Sequence, residues 1–502
     1  MVSKQKNDLP PSDLDLLRKI LATSGTDLKL FSWQGDGFAS VRMGSGREAF
    51  AIASRGFRAW LRQEFLTDHK RHPSPYALRT AINEIADQAA DAPEERIWRR
   101  VGTDGDVWYI DLGNEQREVI QIIQGVWELV NRAPIHFARS RAMRPFPQTR
   151  TTGAVDGRTG ELTAGDRAVH QQTLKAFAAL LNLDTAADFQ LLMTWCVCAM
   201  TPNGPYPVLT VCGEQGSAKS TLVRLIHDLV DPSHAPLRSL PSAEKDLFVS
   251  ASNAHLLAFD NVSNISAATS DNLCKISTGG AVALRRIGTD TDEIFLEFKA
   301  PVILNGIGDL ILRPDLADRA LVINTTAIAA EERRDSDSIQ RAFSDLAPRL
   351  TEALLDLLAL ARFKLLTEEA GLWKADRLPR MAEFAKLGIA IEDVFGEPGG
   401  FTAAYDRNRV AAADDLVESD PILLTILELW DEKKCWSGTM QDLQVEIAQR
   451  LKASGSRLPV PTGLAQISSH VKRIKPILVK KGMIVAFHRA ASKDRRRTLE
   501  LF

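Results

Sequence analysis

The chain has 502 residues, with 62 Lys and Arg against 64 Asp and Glu, and is 45% hydrophobic and 25% charged. This is globular composition with room for roughly two to four domains, and a net charge of −2 excludes a whole-surface field that would drive the protein onto nucleic acid. Five scattered cysteines exclude a disulfide framework, and no apolar stretch reaches the roughly 20 residues of a membrane span; with no apolar signal segment after Met1, a cytoplasmic protein without membrane contact is expected.

The charge is uneven. Between His470 and Phe502 ten Lys and Arg stand against two acids, Asp494 and Glu500. A near-neutral body with a basic end suits a protein that docks on DNA with one part; a solvated basic face is the plainer alternative.

In chain order, the first few residues are polar and read as disordered. Residues 1–150 are expected to form an α+β domain. Phe57, Trp60, Leu61 and Phe65 recur at helical spacing, and Pro75 to Ala90 reads as another helix. Ile97 to Val101 and Val107 to Leu112 read as strands joined by a turn at Asp104, Gly105 or Asp106, and strands continue from Val119 to Val130. Arg and Trp interleave at Arg55, Arg58, Trp60 and Arg62, and again at Trp98, Arg99 and Arg100. That pattern suits single strands held by stacking and charge, or equally core Trp beside solvated Arg. Residues 151–200 are expected to be a linker and helical collar, with one helix from Leu174 to Met200. Cys196 and Cys198 fall in its apolar run and read as core, because no second Cys or His pair lies near enough for a zinc site.

Residues 201–330 carry the chemistry. Val208 to Cys212 reads as a buried strand, and Leu222, Leu225, Ile226 and Leu229 as the apolar face of a helix. Between them lies Gly213, Glu214, Gln215, Gly216, Ser217, Ala218, Lys219, Ser220 and Thr221. Strand, glycine loop and helix in that order cradle phosphate, because loop N–H groups and the positive helix end meet the anion. ATP with Mg²⁺ is the expected ligand: Lys219 reaches the β/γ-phosphates and Ser220 the metal. Ala218 stands where the motif has glycine. Four apolar residues then end in Asp260, the second signature of a phosphate-loop ATPase, which places a carboxylate beside the same Mg²⁺. Asn261 follows, where many such enzymes have Glu. Asn orients a water but takes no proton, so Asp260 serves twice, another carboxylate enters, or hydrolysis is slow. Arg285 and Arg286 fall on an expected hairpin that suits phosphate contact. Asn305 caps the apolar strand from Ala300, and Arg319 precedes another strand, where a ring ATPase carries its arginine finger.

Residues 331–415 read as a helical lid. Residues 416–502 read as three helices and a two-stranded basic wing, a winged helix with Lys472, Arg473 and Lys475 on its third helix and Arg495, Arg496 and Arg497 in the wing. Trp436 to Thr439 reads as a turn with Thr439 as a helix N-cap, and Pro476 as a kink or early end of the third helix. A winged helix used for protein contacts is the alternative.

The order Gly213 to Ser220, Phe259-Asp260-Asn261, Thr278-Gly279-Gly280 with Arg285-Arg286, Leu304-Asn305 and Asp318-Arg319 resembles the superfamily 3 helicases, AAA+ ring ATPases of viruses, phages and plasmids. It is most similar to the helicase part of poxvirus- and phage-type primase-helicases. The resemblance covers about residues 174–328. It implies an AAA+ core, a hexameric ring with single-stranded DNA in its channel, Lys219 and Ser220 on nucleotide and metal, Asp260 on Mg²⁺, Asn305 as sensor and Arg319 as finger. It implies an ATP-dependent helicase or replication initiator of a mobile element. The rival is a nucleotide-gated DNA-binding switch or defence ATPase that barely unwinds.

Overall fold

The computed structural model describes residues 11–23, 28–263, 265–285, 293–306, 313–329, 331, 333–367, 378–396, 399–454, 462–489 and 497–501. The first ten residues, read as disordered, lie outside the described residues, as do Arg286, Arg495 and Arg496.

The N-terminal part opens with α1 (Asp13–Thr23), then β1 (Leu28–Trp33), β2 (Asp36–Met43) and β3 (Gly46–Ala51) in an antiparallel sheet. The β1–β2 turn needs two left-handed residues, which Gln34 and Gly35 supply at φ 50° and 80°. Helices α2 (Arg55–His69) and α3 (Pro75–Ala90) start at Ser54 and Ser74, each capping with its hydroxyl. Their faces bury Phe57, Leu61, Phe65, Ile82 and Ile85 with Leu17 and Val41.

Next come β4 (Ile97–Trp98), β5 (Val101–Asp104), β6 (Val107–Asp111), β7 (Val119–Ile123), β8 (Val126–Val130) and β9 (His136–Phe137). β5 to β8 form an antiparallel meander, while β4 pairs parallel with β9. The run from Ile97 to Val101, read as one strand, is therefore split. Arg99 and Arg100 break it because both side chains turn to partners elsewhere in the fold.

The expected helix from Leu174 to Met200 is also two: α4 (Ala164–Ala178) and α5 (Ala186–Ala199). Thr163 and Thr185 each accept an N–H three residues on, so two N-caps start two helices. Leu191 to Ala199 of α5, with Cys196 and Cys198, is buried all round.

The chain then runs through β10 (Val208–Gly213), α6 (Lys219–Val230), α7 (Glu244–Asn253), β11 (Leu257–Val262) and α8 (Ala267–Thr278). The hairpin β12 (Gly280–Arg285) and β13 (Glu293–Phe298) precedes β14 (Val302–Gly306), α9 (Pro314–Ala317) and β15 (Ala320–Thr325). β11, β14, β10 and β15 lie in that order in a parallel sheet. Its strands read as unbroken apolar runs because both faces are covered. Leu209, Val211, Ile303 and Ile323 pack with α6 on one face. Val208, Phe259, Leu304 and Val322 pack with α7 and α8 on the other.

The remainder is mostly helical: α10 (Ser336–Leu366), α11 (Ala382–Phe395), α12 (Gly400–Ser419), α13 (Pro421–Lys433), then β16 (Trp436–Thr439), α14 (Met440–Ala453), α15 (Leu464–Lys480), β17 (Val485–Arg489) and β18 (Arg497–Leu501). Two readings are corrected here. Trp436 to Thr439 is a strand paired with β18, so the terminal sheet has three strands in the order β16, β18, β17. Thr439 still caps α14, in a capping box with Asp442. α15 runs on past Pro476 to Lys480, held by Val471, Ile474 and Leu478 in the core it shares with α13 and α14. The molecule is mixed α/β with a parallel sheet, and no described helix is long and apolar enough to cross a membrane.

Candidate nucleotide and nucleic-acid sites

β10 delivers the chain to the loop through Gly213. A Cβ there would stand 2.4 Å from both the carbonyl and the hydroxyl oxygen of Thr325, so only glycine fits. Glu214, Gln215 and Gly216 are exposed, and Gly216 is left-handed at φ 85°. Ala218 is left-handed too, at φ 60°, the conformation that explains glycine at this place in the motif. Its methyl costs roughly 1–2 kcal/mol there.

Ala218 is also the N-cap of α6 and offers no side-chain cap. The first-turn N–H groups of α6 are therefore left without a side-chain acceptor at the helix start. Lys219 is buried, and its Nζ donates to the carbonyls of Gly213 and Glu214 at 2.8 and 2.6 Å and to Ser217 Oγ at 3.3 Å. Burial lowers its pKa, with Cys212 and Asp260 acting the other way.

Three predicted residues converge beside the lysine. Ser220 Oγ donates to Asp260 Oδ1 at 3.0 Å. Asn305 Nδ2 donates to Ser220 Oγ at 3.1 Å and to Asp260 Oδ1. Asn305 is 1% exposed, and its Oδ1 is buried with no partner among the described residues. Adjacent parallel strands explain the meeting: Phe259 of β11 is in register with Leu304 of β14.

Asn261 joins this cluster through its backbone alone, its N–H donating to Asp260 Oδ1 at 3.0 Å. The β11–β14 register breaks between Phe259 and Val262, and Asn261 sits in the bulge at φ 54°, exposed. Asn tolerates that conformation better than Glu does, so local backbone geometry accounts for the residue type.

Sequence reasoning missed the supports. Thr325 Oγ1 bonds Ser217 Oγ at 2.8 Å and donates to the Cys212 carbonyl at 3.1 Å. Asn182 Nδ2 donates to the carbonyls of Ser217 and Thr326 at 3.0 and 2.6 Å, tying the α4–α5 connection to the loop. A cavity of about 490 Å³ opens beside Gly216, Ala218 and Thr221, walled by Leu222, Ile328 and Ile339 and by Arg333. The Arg333 guanidinium reaches within 3.5 Å of where a Cβ on Gly216 would be. No motif marks Arg333 or Asn182, because only the fold brings them to the loop.

Residues 174–418 match the model of the actinomycete integrative conjugative element replication protein, and residues 422–502 match that of the C-terminal domain of the same RepA protein. The chain belongs to this family of replication proteins. No curated protein matches it. Among solved structures it is similar to the apo structure of the NrS-1 C terminal region (305–718), with TM-score 0.41, 13% identity, and 98% of this chain and 99% of that chain covered. A second apo form of that region gives TM-score 0.40 and 12% identity, over 96% and 98% of the two chains. Both likenesses are too loose to establish a shared fold.

In this replication protein the other predicted residues lie away from the loop. Arg319 donates to the Asp315 carbonyl at 2.8 Å and pairs with its carboxylate at 2.5 Å, and Arg380 shares that carboxylate at 3.2 Å. Burial raises the pKa of Asp315, but the Arg319 hydrogen bond and the charges of Arg319 and Arg380 outweigh it and hold the carboxyl below its usual range. Arg285 ends β12 and Arg497 begins β18. Lys472, Arg473 and Lys475 are exposed on α15, opposite the buried Val471, Ile474 and Leu478. Lys472 Nζ lies 5.7 Å from the Phe487 ring centre.

Proposed function

We propose that this mobile-element replication protein is an ATP-driven motor on DNA, an AAA+ ring ATPase of the superfamily 3 helicase type. The observation that carries the reading is the Ser220, Asp260 and Asn305 cluster beside a glycine loop whose helix start is uncapped. Two oxygen donors 3.0 Å apart, Ser220 Oγ and Asp260 Oδ1, fit Mg²⁺, which takes one or two protein oxygens and completes its shell with water and substrate phosphate. Among the described residues no group of three or more His, Cys, Asp and Glu forms an all-protein cage. When bound, Mg²⁺ neutralises charge on the β/γ-phosphates.

The chain's own residues do the rest. Lys219 exchanges its loop carbonyls for phosphate oxygens. The loop N–H groups and the start of α6 hold the phosphates, and the cavity lined by Leu222, Ile328 and Ile339 takes the nucleoside. Asn305 holds Ser220 and Asp260 in register. Arg319, engaged with Asp315 rather than with its own loop, supports a finger presented to a neighbouring subunit of a hexameric ring. The β12–β13 hairpin with Arg285 and Arg286 contacts the strand in the channel. The last three helices and sheet act as a winged helix on duplex DNA through Lys472, Arg473, Lys475 and Arg495 to Arg497.

A second reading, a nucleotide-gated DNA-binding switch with weak hydrolysis, is favoured by Asn261, whose exposed amide brings no base to the site and which meets Asp260 only through its backbone N–H. Strand displacement on a forked duplex separates the two. ATP-dependent displacement that disappears in Lys219→Ala supports the motor. DNA binding and oligomerisation without displacement replaces it with the switch.

A further inference from the structure

Away from the nucleotide loop, a cleft of about 210 Å³ lies between the N-terminal strands and the base of the β12–β13 hairpin. Arg96, Arg99 and Lys299 line it, with Trp33, Trp98 and Tyr206. Gln34 of the β1–β2 turn closes one side by donating to the Glu297 carbonyl at 3.3 Å.

The three cations are held there by the fold. Lys299 follows β13 directly, and its stem lies across two left-handed glycines. A Cβ on Gly279 would stand 2.5 Å from Lys299 Cε, and one on Gly204 would stand 3.1 Å from its Cδ. The ammonium donates to the Asn203 carbonyl at 2.7 Å. Among the described residues Arg99 donates to neutral acceptors alone: the carbonyls of Ser252 and Ala138 at 2.9 and 3.4 Å and Asn253 Oδ1 at 3.3 Å. Arg96 is exposed, with its guanidinium carbon over Trp98, 4.2 Å from the ring centre.

Among the described residues none of the three has a carboxylate within ion-pair distance. Burial lowers the pKa of Arg99. Burial and then the Arg96 charge lower that of Lys299, with Glu383 acting the other way. Asp36 and Glu297 also line the cleft. Like charges gathered in a partly dry cleft with no carboxylate bonded to them favour the entry of an anion. A guanidinium held over Trp98 is also a group on which a base can stack. Lys299, directly after β13, places the cleft at the base of the β12–β13 hairpin.

We propose that this cleft holds the phosphodiester backbone of one nucleic-acid strand, with Arg96 and Lys299 each on a phosphate and Arg99 as fixed positive charge beneath them. The site rests on the nucleic-acid reading above and on none of the nucleotide-loop residues. The test uses the full chain and a fluorescein-labelled oligothymidylate of about 20 nucleotides, with affinity read by anisotropy over a range of salt. Arg96→Ala with Lys299→Ala lowers the slope of log affinity against log salt by about 1.4, since each single-strand phosphate contributes about 0.7. Arg96→Lys with Lys299→Arg restores the slope. A slope equal to wild type overturns the site, and so does a wild-type chain that fails to bind the oligonucleotide. A fluorescent ADP analogue, bound in parallel, tests the nucleotide reading separately: its loss leaves the strand slope to decide the cleft alone.

Discussion

Ser220 Oγ donates to Asp260 Oδ1 across 3.0 Å, joining the first turn of α6 to β11. If this pair holds Mg²⁺, Asp260→Asn removes charge from the metal but not from the phosphate cradle. Calorimetry with and without Mg²⁺ checks this. The variant loses about tenfold in ADP affinity with Mg²⁺, or about 1.4 kcal/mol, and little without it. Equal losses in both conditions would place Asp260 in the cradle instead.

The loop offers a paired test of backbone strain. Gly213→Ala drives a methyl to 2.4 Å from two oxygens of Thr325 and is expected to destabilise by about 2–3 kcal/mol. Ala218→Gly removes the methyl from a left-handed position and lies between neutral and about 1 kcal/mol stabilising, because relief of strain offsets the freer unfolded chain. Chemical denaturation of both variants decides; a destabilised Ala218→Gly contradicts the assigned conformation.

At the end of α6, Asp231 is buried with Arg100 at 2.8 Å, His227 and His255. Burial lowers the pKa of both histidines, against the pull of Asp231. They fold neutral, so their stability contribution is full above the unfolded value near 6.5 and falls as pH drops below it. Burial raises the Asp231 pKa, but Arg100 and the histidines more than reverse this, so its contribution is present above about 3.9 and lost as pH falls through the lower folded value. Denaturation followed from pH 8 to 5 is expected to show stability declining from about pH 6.5, by up to about 1.4 kcal/mol per unit for each histidine. His227→Leu flattens that decline; an unchanged slope in the variant removes His227 from the account.

Arg100 is buried and donates to Asp231 Oδ1 and to the carbonyls of Asp111, Arg144 and Pro232. Arg100→Met leaves Asp231 buried and uncompensated, at a cost of about 3–5 kcal/mol at neutral pH. Below pH 4 the difference from wild type narrows, because protonation of Asp231 removes the stranded charge. Denaturant midpoints at both pH values measure it.

The exposed bases of α15 face away from the core. Replacing Lys472, Arg473 and Lys475 with Ala is expected to leave folding within about 0.5 kcal/mol and to reduce the salt slope for duplex binding by up to about 2.7, at 0.9 per phosphate lost. Fluorescence titrations at several salt concentrations report the slope. An unaltered value assigns this face to protein contacts.

Local signals in the chain determined the strand–loop–helix from Val208, the buried strands ending at Asp260 and Asn305, and the amphipathic face of α15, because apolar runs and periodicity act over a few residues. Tertiary structure decided what those signals meet. It set β14 between β11 and β10, which brings Asn305 within 3.1 Å of Ser220. It brought Thr325, Asn182 and Arg333 to the loop from positions that no motif marks. It made Trp436 to Thr439 a strand, which four residues could become only by pairing with β18. It turned Arg99 and Lys299, far apart in the chain, into walls of one cleft. Short-range propensity places elements, whereas hydrogen-bond partners and charge neighbours come from packing between distant segments.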